Sequence, residues 1–407
     1  MVFAERQIRA ALTVLALSGL TLTTLQGTAG ATDAPAATTS ATAEPSPVAS
    51  IERSTARALA RSLAEPAWHK QAAKAALAAE EADLLPLTAK SAAKSVEGFR
   101  KTLVEAETGI AAAKGLGATD VGSLLQVRLA GKPVSQSALT KTPPLVASAP
   151  SDDQADVVIA YDTAGNAHEL SARKAPERPV YVIGVDGQEA LAAGLEVIDR
   201  ELAAKGLGTL SATETNTSAA RTAGSASASA SASASAGSTG SAASTGFWTT
   251  RIESLSVADL KEPWFKGDAE LFTLVTGFGT DGKVRVDTVT MPYVDDEDTT
   301  YYPGQILVNW SNYKYNLADA VLMEDDGDTN YSSLAKALAA ALLTITDQGA
   351  YIPLVNAIID AMPASWWTDD PDYVDSFYTL ARETTGSRTG ASANARMTVE
   401  RYYVSAL

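Results

Sequence analysis

Acidic side chains gather in two short segments of the C-terminal part of the chain, each beside a predicted strand. Glu262 and Asp268 frame a loop that leads into an apolar run starting near Ala269. Glu324 and Asp326 come directly after a later apolar run. Carboxylates held close together repel one another, and a hard cation with oxygen ligands removes that repulsion. The pattern therefore predicts a Ca²⁺ site with these four carboxylates as its ligands.

The alternative interpretation of these acids is a solvated surface that only keeps the protein soluble. Two further runs, at residues 295–298 and 369–372, fit that interpretation equally well. What favours a cation site is the joint spacing of the first two segments. It places an acid, a second acid six residues later at a strand start, and an acid-x-acid pair about 56 residues further on.

This spacing resembles the calcium-binding loops of C2-type β-sandwiches. The resemblance makes Glu262 and Asp268 ligands from a first loop, and Glu324 and Asp326 ligands from the opposite loop. Two of these positions carry Glu where C2 domains usually carry Asp. The resemblance therefore implies calcium binding that is weaker or altered.

Common kinds of catalytic site have little support in the sequence. The chain has no cysteine, which excludes disulfides, thiol nucleophiles and cysteine-ligated zinc, and its only histidines, His69 and His168, are far apart. No nucleophile elbow, phosphate-binding loop or dinucleotide-binding loop stands between a strand and a helix. Aromatic residues near the acidic segments, such as Trp264 and Trp310, offer either core packing or a surface that stacks on sugars.

Net charge restricts the possible partners. The formal charge is -16, and from Phe247 onward 24 acidic residues face 11 basic ones, whereas the preceding part is close to neutral. An acidic surface repels phosphate backbones, so we expect no nucleic-acid partner.

The N-terminus has the features of a secretory signal peptide at residues 1–31. Arg6 and Arg9 precede a short apolar run, and Ala29-Gly30-Ala31 provides a cleavage site. The apolar run is shorter than the roughly 20 residues that span a membrane, and no later segment qualifies. We therefore expect a secreted, extracellular protein without an integral membrane segment after cleavage.

Composition divides the rest of the chain. Residues 32–48 predict a disordered lead-in, and residues 211–246, almost entirely Ser, Ala, Gly and Thr, predict a disordered linker. Residues 49–210 predict an N-terminal α+β part, with helices, strands near 156–161 and 179–184, and a helix over 188–205. Residues 247–407 predict an acidic domain of short antiparallel strands interrupted by two amphipathic helices. The predicted fold class is α+β, with N-terminal helices on a small sheet followed by an antiparallel β-sandwich with an inserted helical pair.

Several short segments resemble an uncharacterised family of secreted bacterial proteins, domain of unknown function 3103. The segments are Lys261-Glu262-Pro263-Trp264, Met291-Pro292-Tyr293, Thr300-Tyr301-Tyr302-Pro303, Met362-Pro363-Ala364-Ser365-Trp366 and Ala160-Tyr161-Asp162-Thr163-Ala164-Gly165-Asn166. The resemblance covers most of the chain after about Ala49 and implies no activity.

Two functions remain open. The first is an exported, non-enzymatic binding or surface-interaction protein with a Ca²⁺-stabilised β-sandwich and an unknown extracellular ligand or surface as partner. The alternative is a secreted, glycosidase-like hydrolase that uses paired carboxylates of the acidic rim.

Overall fold

The computed structural model describes residues 46–91, 93–117, 121–132, 134–141, 143–150, 155–207, 246–260, 264–267, 269–325, 327–362 and 373–405. The predicted signal peptide, most of the lead-in and nearly all of the linker lie outside these residues. Residues 46–207 are called the N-terminal half below, and residues 246–405 the C-terminal half. Both halves belong to one compact unit.

The described residues form eight helices and fifteen strands, which confirms the predicted α+β class. The helices are α1 Pro47–Ser62, α2 Pro66–Ala78, α3 Leu84–Ala89, α4 Lys94–Ala113, α5 Gln136–Leu139, α6 Gly187–Ala204, α7 Tyr331–Leu342 and α8 Val355–Ala361. The strands are β1 Glu81–Asp83, β2 Leu125–Ala130, β3 Leu145–Ser148, β4 Val157–Tyr161, β5 Ala167–Ser171, β6 Val180–Val185, β7 Phe247–Val257, β8 Leu271–Phe278, β9 Val284–Thr290, β10 Thr300–Tyr301, β11 Gln305–Asn309, β12 Leu317–Glu324, β13 Tyr373–Ala381, β14 Gly386–Thr389 and β15 Ala395–Val404.

The N-terminal half is a six-stranded sheet with helices on one face. Its strand order is β1-β2-β6-β3-β4-β5, in which only the β3–β6 pair is parallel. Helix α1 begins at Ser46, whose hydroxyl accepts from the backbone N–H of Ala49, so the last residues assigned to the lead-in start a helix. Leu59 and Leu63 lie on the buried side of α1 and pack into the core.

The C-terminal half is a pair of antiparallel sheets that face each other. One has the order β10-β7-β15-β14, with β11 also on β7, and the other has the order β13-β12-β8-β9. Apolar residues from both sheets, such as Leu255, Leu322 and Met397, form the core between them. Strand β8 is buried along its whole length, because helices cover its second face.

The two halves share one hydrophobic core. Helices α7 and α8 lie between β12 and β13 in sequence, as predicted, and α7 packs along α6 of the N-terminal half. Residues of both halves, among them Ile198, Phe272 and Leu338, belong to the same buried cluster. No helix in the described part of the chain is long and apolar enough to cross a membrane.

Candidate functional site

Described residues of the two segments singled out in the sequence lie close together in the structure. The first loop is defined as residues 262–268 and the second loop as residues 324–330. The backbone N–H of Asp325 donates to the carbonyl oxygen of Glu270 at 3.1 Å, which holds the second loop against the strand that follows the first loop. Described residues of both loops line one pocket between the two halves, called the junction pocket below.

In the N-terminal half the junction pocket is lined by α1, β1, β2, β6, the start of α6 and the segment after β3. In the C-terminal half it is lined by described residues of the two loops and by Glu270. Its cavity volume is about 80 Å³, which is room for an ion with a few waters rather than for a drug-sized ligand. Its charged lining residues are Glu52, Glu81, Glu270, Asp325, Asp328, Arg128 and Lys266. Carboxylates therefore outnumber cations in the described lining.

One wall of the junction pocket is anchored by a buried ion pair. The Lys114 ammonium lies 3.3 Å from both carboxylate oxygens of Asp325 and donates to the carbonyl oxygen of Gly327 at 2.7 Å. The Tyr331 hydroxyl donates to the same carboxylate, and its ring lies 5.3 Å from the ammonium. The second loop is thus held to the end of α4.

Two further carboxyl groups of the pocket are forced toward the neutral state. Glu52, on the buried stripe of α1, is 6% exposed and accepts from the backbone N–H of Val185 at 3.1 Å. Burial, together with the nearby charge of Asp328, raises the pKa of Glu52 to about 8. Burial also raises the pKa of Asp328. The Ser46 hydroxyl donates to that carboxyl at 2.8 Å, which lowers the pKa but does not offset the effect of burial.

Hydrogen bonds to the main chain and from the side chain of Trp264 fix the first loop to the N-terminal sheet. The Arg128 guanidinium donates to the Trp264 carbonyl oxygen at 3.0 Å, and the Trp264 indole donates to the Ser171 carbonyl oxygen at 3.1 Å. Phe265 fills the apolar cluster on that face of the sheet. These contacts hold the loop so that Lys266 lines the pocket.

Only one of the four predicted calcium ligands lies among the described residues. Glu324 is the last residue of β12, is 1% exposed and does not line the junction pocket. Its neighbour Asp325 does line the pocket, because successive strand residues point to opposite faces. Glu262, Asp268 and Asp326 lie outside the described residues. Among the residues that the structure describes, no group of three or more acidic or histidine side chains is placed to hold a metal ion.

Sequence reasoning missed Glu52 and Lys114. A signal for Glu52 was present, since it precedes Ala56 by four residues and Leu59 by seven, and so falls on the apolar stripe of α1. An acid at such a position is buried and requires a partner. No comparable signal marks Lys114, whose partner Asp325 is 211 residues away.

Comparison with protein-family models gives a match over most of the chain. Residues 52–406 match the model of a family described as "Protein of unknown function (DUF3103)". No match to the chain was found among curated proteins or among solved structures. The matched span includes both halves and the junction pocket from Glu52 onward.

Proposed function

The chain belongs to the DUF3103 family, and we propose that it is an exported, non-enzymatic binding or surface-interaction protein. Its ligand site is the junction pocket, and a bound Ca²⁺ stabilises the two acidic loops and the β-sandwich behind them. The C2-like arrangement of the loops and the extracellular location are parts of the same proposal.

The observation that carries this proposal is the convergence of the two loops. The spacing of their acids indicates one shared cation, and such a cation requires the loops to lie side by side. In the structure Lys266 and Gly267 of the first loop line the same pocket as Asp325 and Asp328 of the second. Convergence of loops far apart in the chain is what a shared ligand needs, whereas an acidic surface that only confers solubility has no need of it.

The proposed Ca²⁺ donors are Asp268 and Asp326 from the two loops, together with Asp328. Glu262 also belongs to the set predicted from the sequence. Glu324, the fourth residue of that set, does not line the junction pocket and is not among the donors proposed for this ion. The raised pKa of Glu52 supports a cation, because this buried carboxyl group holds its proton only while no other positive charge replaces it, and burial shifts the pKa of Asp328 in the same direction. Calcium binding should therefore release protons.

The test is a calorimetric Ca²⁺ titration of the full chain at pH 7 in buffers of different ionisation enthalpy. We expect binding coupled to proton release, and a melting temperature higher by a few degrees in millimolar Ca²⁺. With free calcium at ten times Kd, binding to the folded state alone adds about 1.4 kcal/mol. Mg²⁺ should stabilise less, because it dehydrates reluctantly.

Matched variants decide whether the effect is specific. Asp328→Asn should weaken calcium binding by about tenfold or more, and Glu52→Gln should remove most of the proton release. Asp296→Asn removes the same charge from an exposed acidic run elsewhere and should change neither. Equal loss in Asp296→Asn, or full reproduction of the thermal shift by NaCl at matched ionic strength, would show that the acids form only a solvated surface.

One observation favours the alternative, a glycosidase-like hydrolase. A carboxyl group with a pKa of about 8 is protonated at neutral pH, as a general acid must be, and Asp328 is a second carboxyl close enough to perturb it. Hydrolysis of a panel of glycans by the purified protein, with loss of that activity in Glu52→Gln, would establish the enzyme. Ligand capture without turnover supports the binding protein.

A further inference from the structure

A second candidate site lies on the opposite side of α1 from its buried stripe. Arg53, Arg57 and Arg61 follow one another at four-residue spacing and therefore lie along one face of the helix. Each step rises about 6 Å, so the three side chains form a stripe about 12 Å long. The stripe lines a groove of about 590 Å³, counted to its open mouth, whose other wall includes Tyr161 at the end of β4.

Among the described residues these arginines have no acidic partner, although the protein is rich in acids. The chain has 48 Asp and Glu against 32 Lys and Arg. Even so, none of the three arginines forms an ion pair with any residue that the structure describes. Like charges four residues apart on a helix repel each other, so the stripe is electrostatically unfavourable without an anion.

The turn between β4 and β5 positions two of the three guanidinium groups. Arg57 donates from Nε to the Gly165 carbonyl oxygen at 3.1 Å and lies 5.8 Å from the centre of the Tyr161 ring. Arg61 packs so closely on Gly165 that a Cβ atom there would overlap its guanidinium. The carboxylate on this turn, Asp162, is already bonded to His168 and to the backbone of its own turn. Both guanidinium groups thus keep donors available to the groove.

We propose that this arginine groove binds a linear chain of phosphate groups. A guanidinium group presents a planar fork of donors that matches phosphate oxygens in pairs. Three forks about 6 Å apart each hold a separate, non-adjacent phosphate of a chain long enough to span the stripe. No large apolar side chain of α1 is exposed to insert into lipid. This site is independent of the junction pocket and of calcium.

The experiment measures binding of inorganic phosphate, pyrophosphate, tripolyphosphate and longer polyphosphate to the full chain by calorimetry. Affinity should continue to rise beyond tripolyphosphate, because only a longer chain reaches all three arginines. For long polyphosphate the slope of log K against log salt should be about −2, as expected for three neutralised phosphates on a single strand. Replacing all three arginines (R53Q, R57Q and R61Q together) should abolish binding without unfolding the helix, because Gln and Arg have similar helix propensity.

Two further variants separate a specific groove from diffuse charge. The triple change to Lys keeps the charge but loses the fork, and should weaken binding of long polyphosphate by about tenfold. Replacing Lys70, Lys74 and Lys101 by Gln removes the same charge from exposed positions on α2 and α4 and should leave binding unchanged. The proposal is overturned if that control loses as much affinity as the arginine variant, if no phosphate chain binds, or if anionic lipid vesicles bind while polyphosphate does not.

Discussion

Lys114 and Asp325 form an ion pair across the two halves of the protein, and neither side chain is exposed to solvent. The pair joins the C-terminal end of α4 to the loop after β12. A backbone hydrogen bond joins the same two regions, since the Tyr331 N–H donates to the Lys114 carbonyl oxygen at 3.0 Å. A charge at this depth is tolerated only while its partner remains. The junction between the halves is therefore a specific polar contact inside a shared apolar core.

Breaking that pair should destabilise the whole protein. Lys114→Met leaves the Asp325 carboxylate buried with only neutral donors, which should lower the free energy of unfolding by about 3–5 kcal/mol. Replacing both residues, Lys114→Met with Asp325→Leu, should recover a large part of the loss. Urea unfolding followed by circular dichroism measures both.

The comparison for this prediction is an exposed pair. Lys132 and Glu177 also form an ion pair, but their side chains are 69% and 64% exposed. Lys132→Met should therefore change the free energy of unfolding by less than about 1 kcal/mol. Equal effects at the two sites would mean that the Lys114–Asp325 pair contributes no more than a surface contact.

The raised pKa of Glu52 predicts a stability that falls as pH rises. The folded-state pKa is about 8 against an ordinary value of 4.5, so between these values the folded protein holds a proton that the unfolded chain has lost. The resulting stabilisation is complete below pH 4.5 and is lost as pH rises through 8. One such proton corresponds to a slope of about 1.4 kcal/mol per pH unit.

Glu52→Gln should remove the contribution of about one proton from that slope, because the amide stays neutral at every pH. Burial also raises the pKa of Asp328, so this carboxyl group affects stability in the same direction. The measurement is urea unfolding from about pH 5 to 9 with calcium chelated. Glu97→Gln, on the exposed side of α4, is the matched control and should leave the slope as in the wild type. An unchanged slope in Glu52→Gln would contradict the assignment of this proton.

Local patterns in the sequence predict much of the fold but little of the candidate site. The helix predicted over residues 188–205 is observed at Gly187–Ala204, because its apolar residues recur with helical period and Asp186 caps its start. The strand predicted near 179–184 is observed at Val180–Val185 for a similar reason. The short strand β1, whose residues are not fully buried, has no such periodic signal and was missed.

The candidate site depends on contacts between residues that are distant in the chain. Glu52 reaches the backbone of Val185 across 133 residues, and Lys114 reaches Asp325 across 211. No periodicity within either segment indicates such a partner. The convergence of the two acidic loops was predicted from the joint spacing of their acids, which resembles that of C2-type β-sandwiches. The packing of these loops against the N-terminal half was not predicted.

A glycine at the contact between α6 and α7 gives the sharpest test of the shared core. In a helix interior, Gly→Ala normally stabilises by about 0.5–1 kcal/mol, because alanine has the higher helix propensity. Gly194 lies inside α6, but a Cβ atom there would overlap the ring of Tyr331 on α7. Gly194→Ala should therefore destabilise the protein by about 1–3 kcal/mol, as overpacked cores do. Gly98 lies inside α4, and a Cβ atom added there would have no neighbouring atom within 4 Å, so Gly98→Ala should stabilise by the usual amount. Thermal and urea unfolding of the two variants should thus give opposite signs, and stabilisation by both would show that α6 and α7 do not pack as closely as the structure places them.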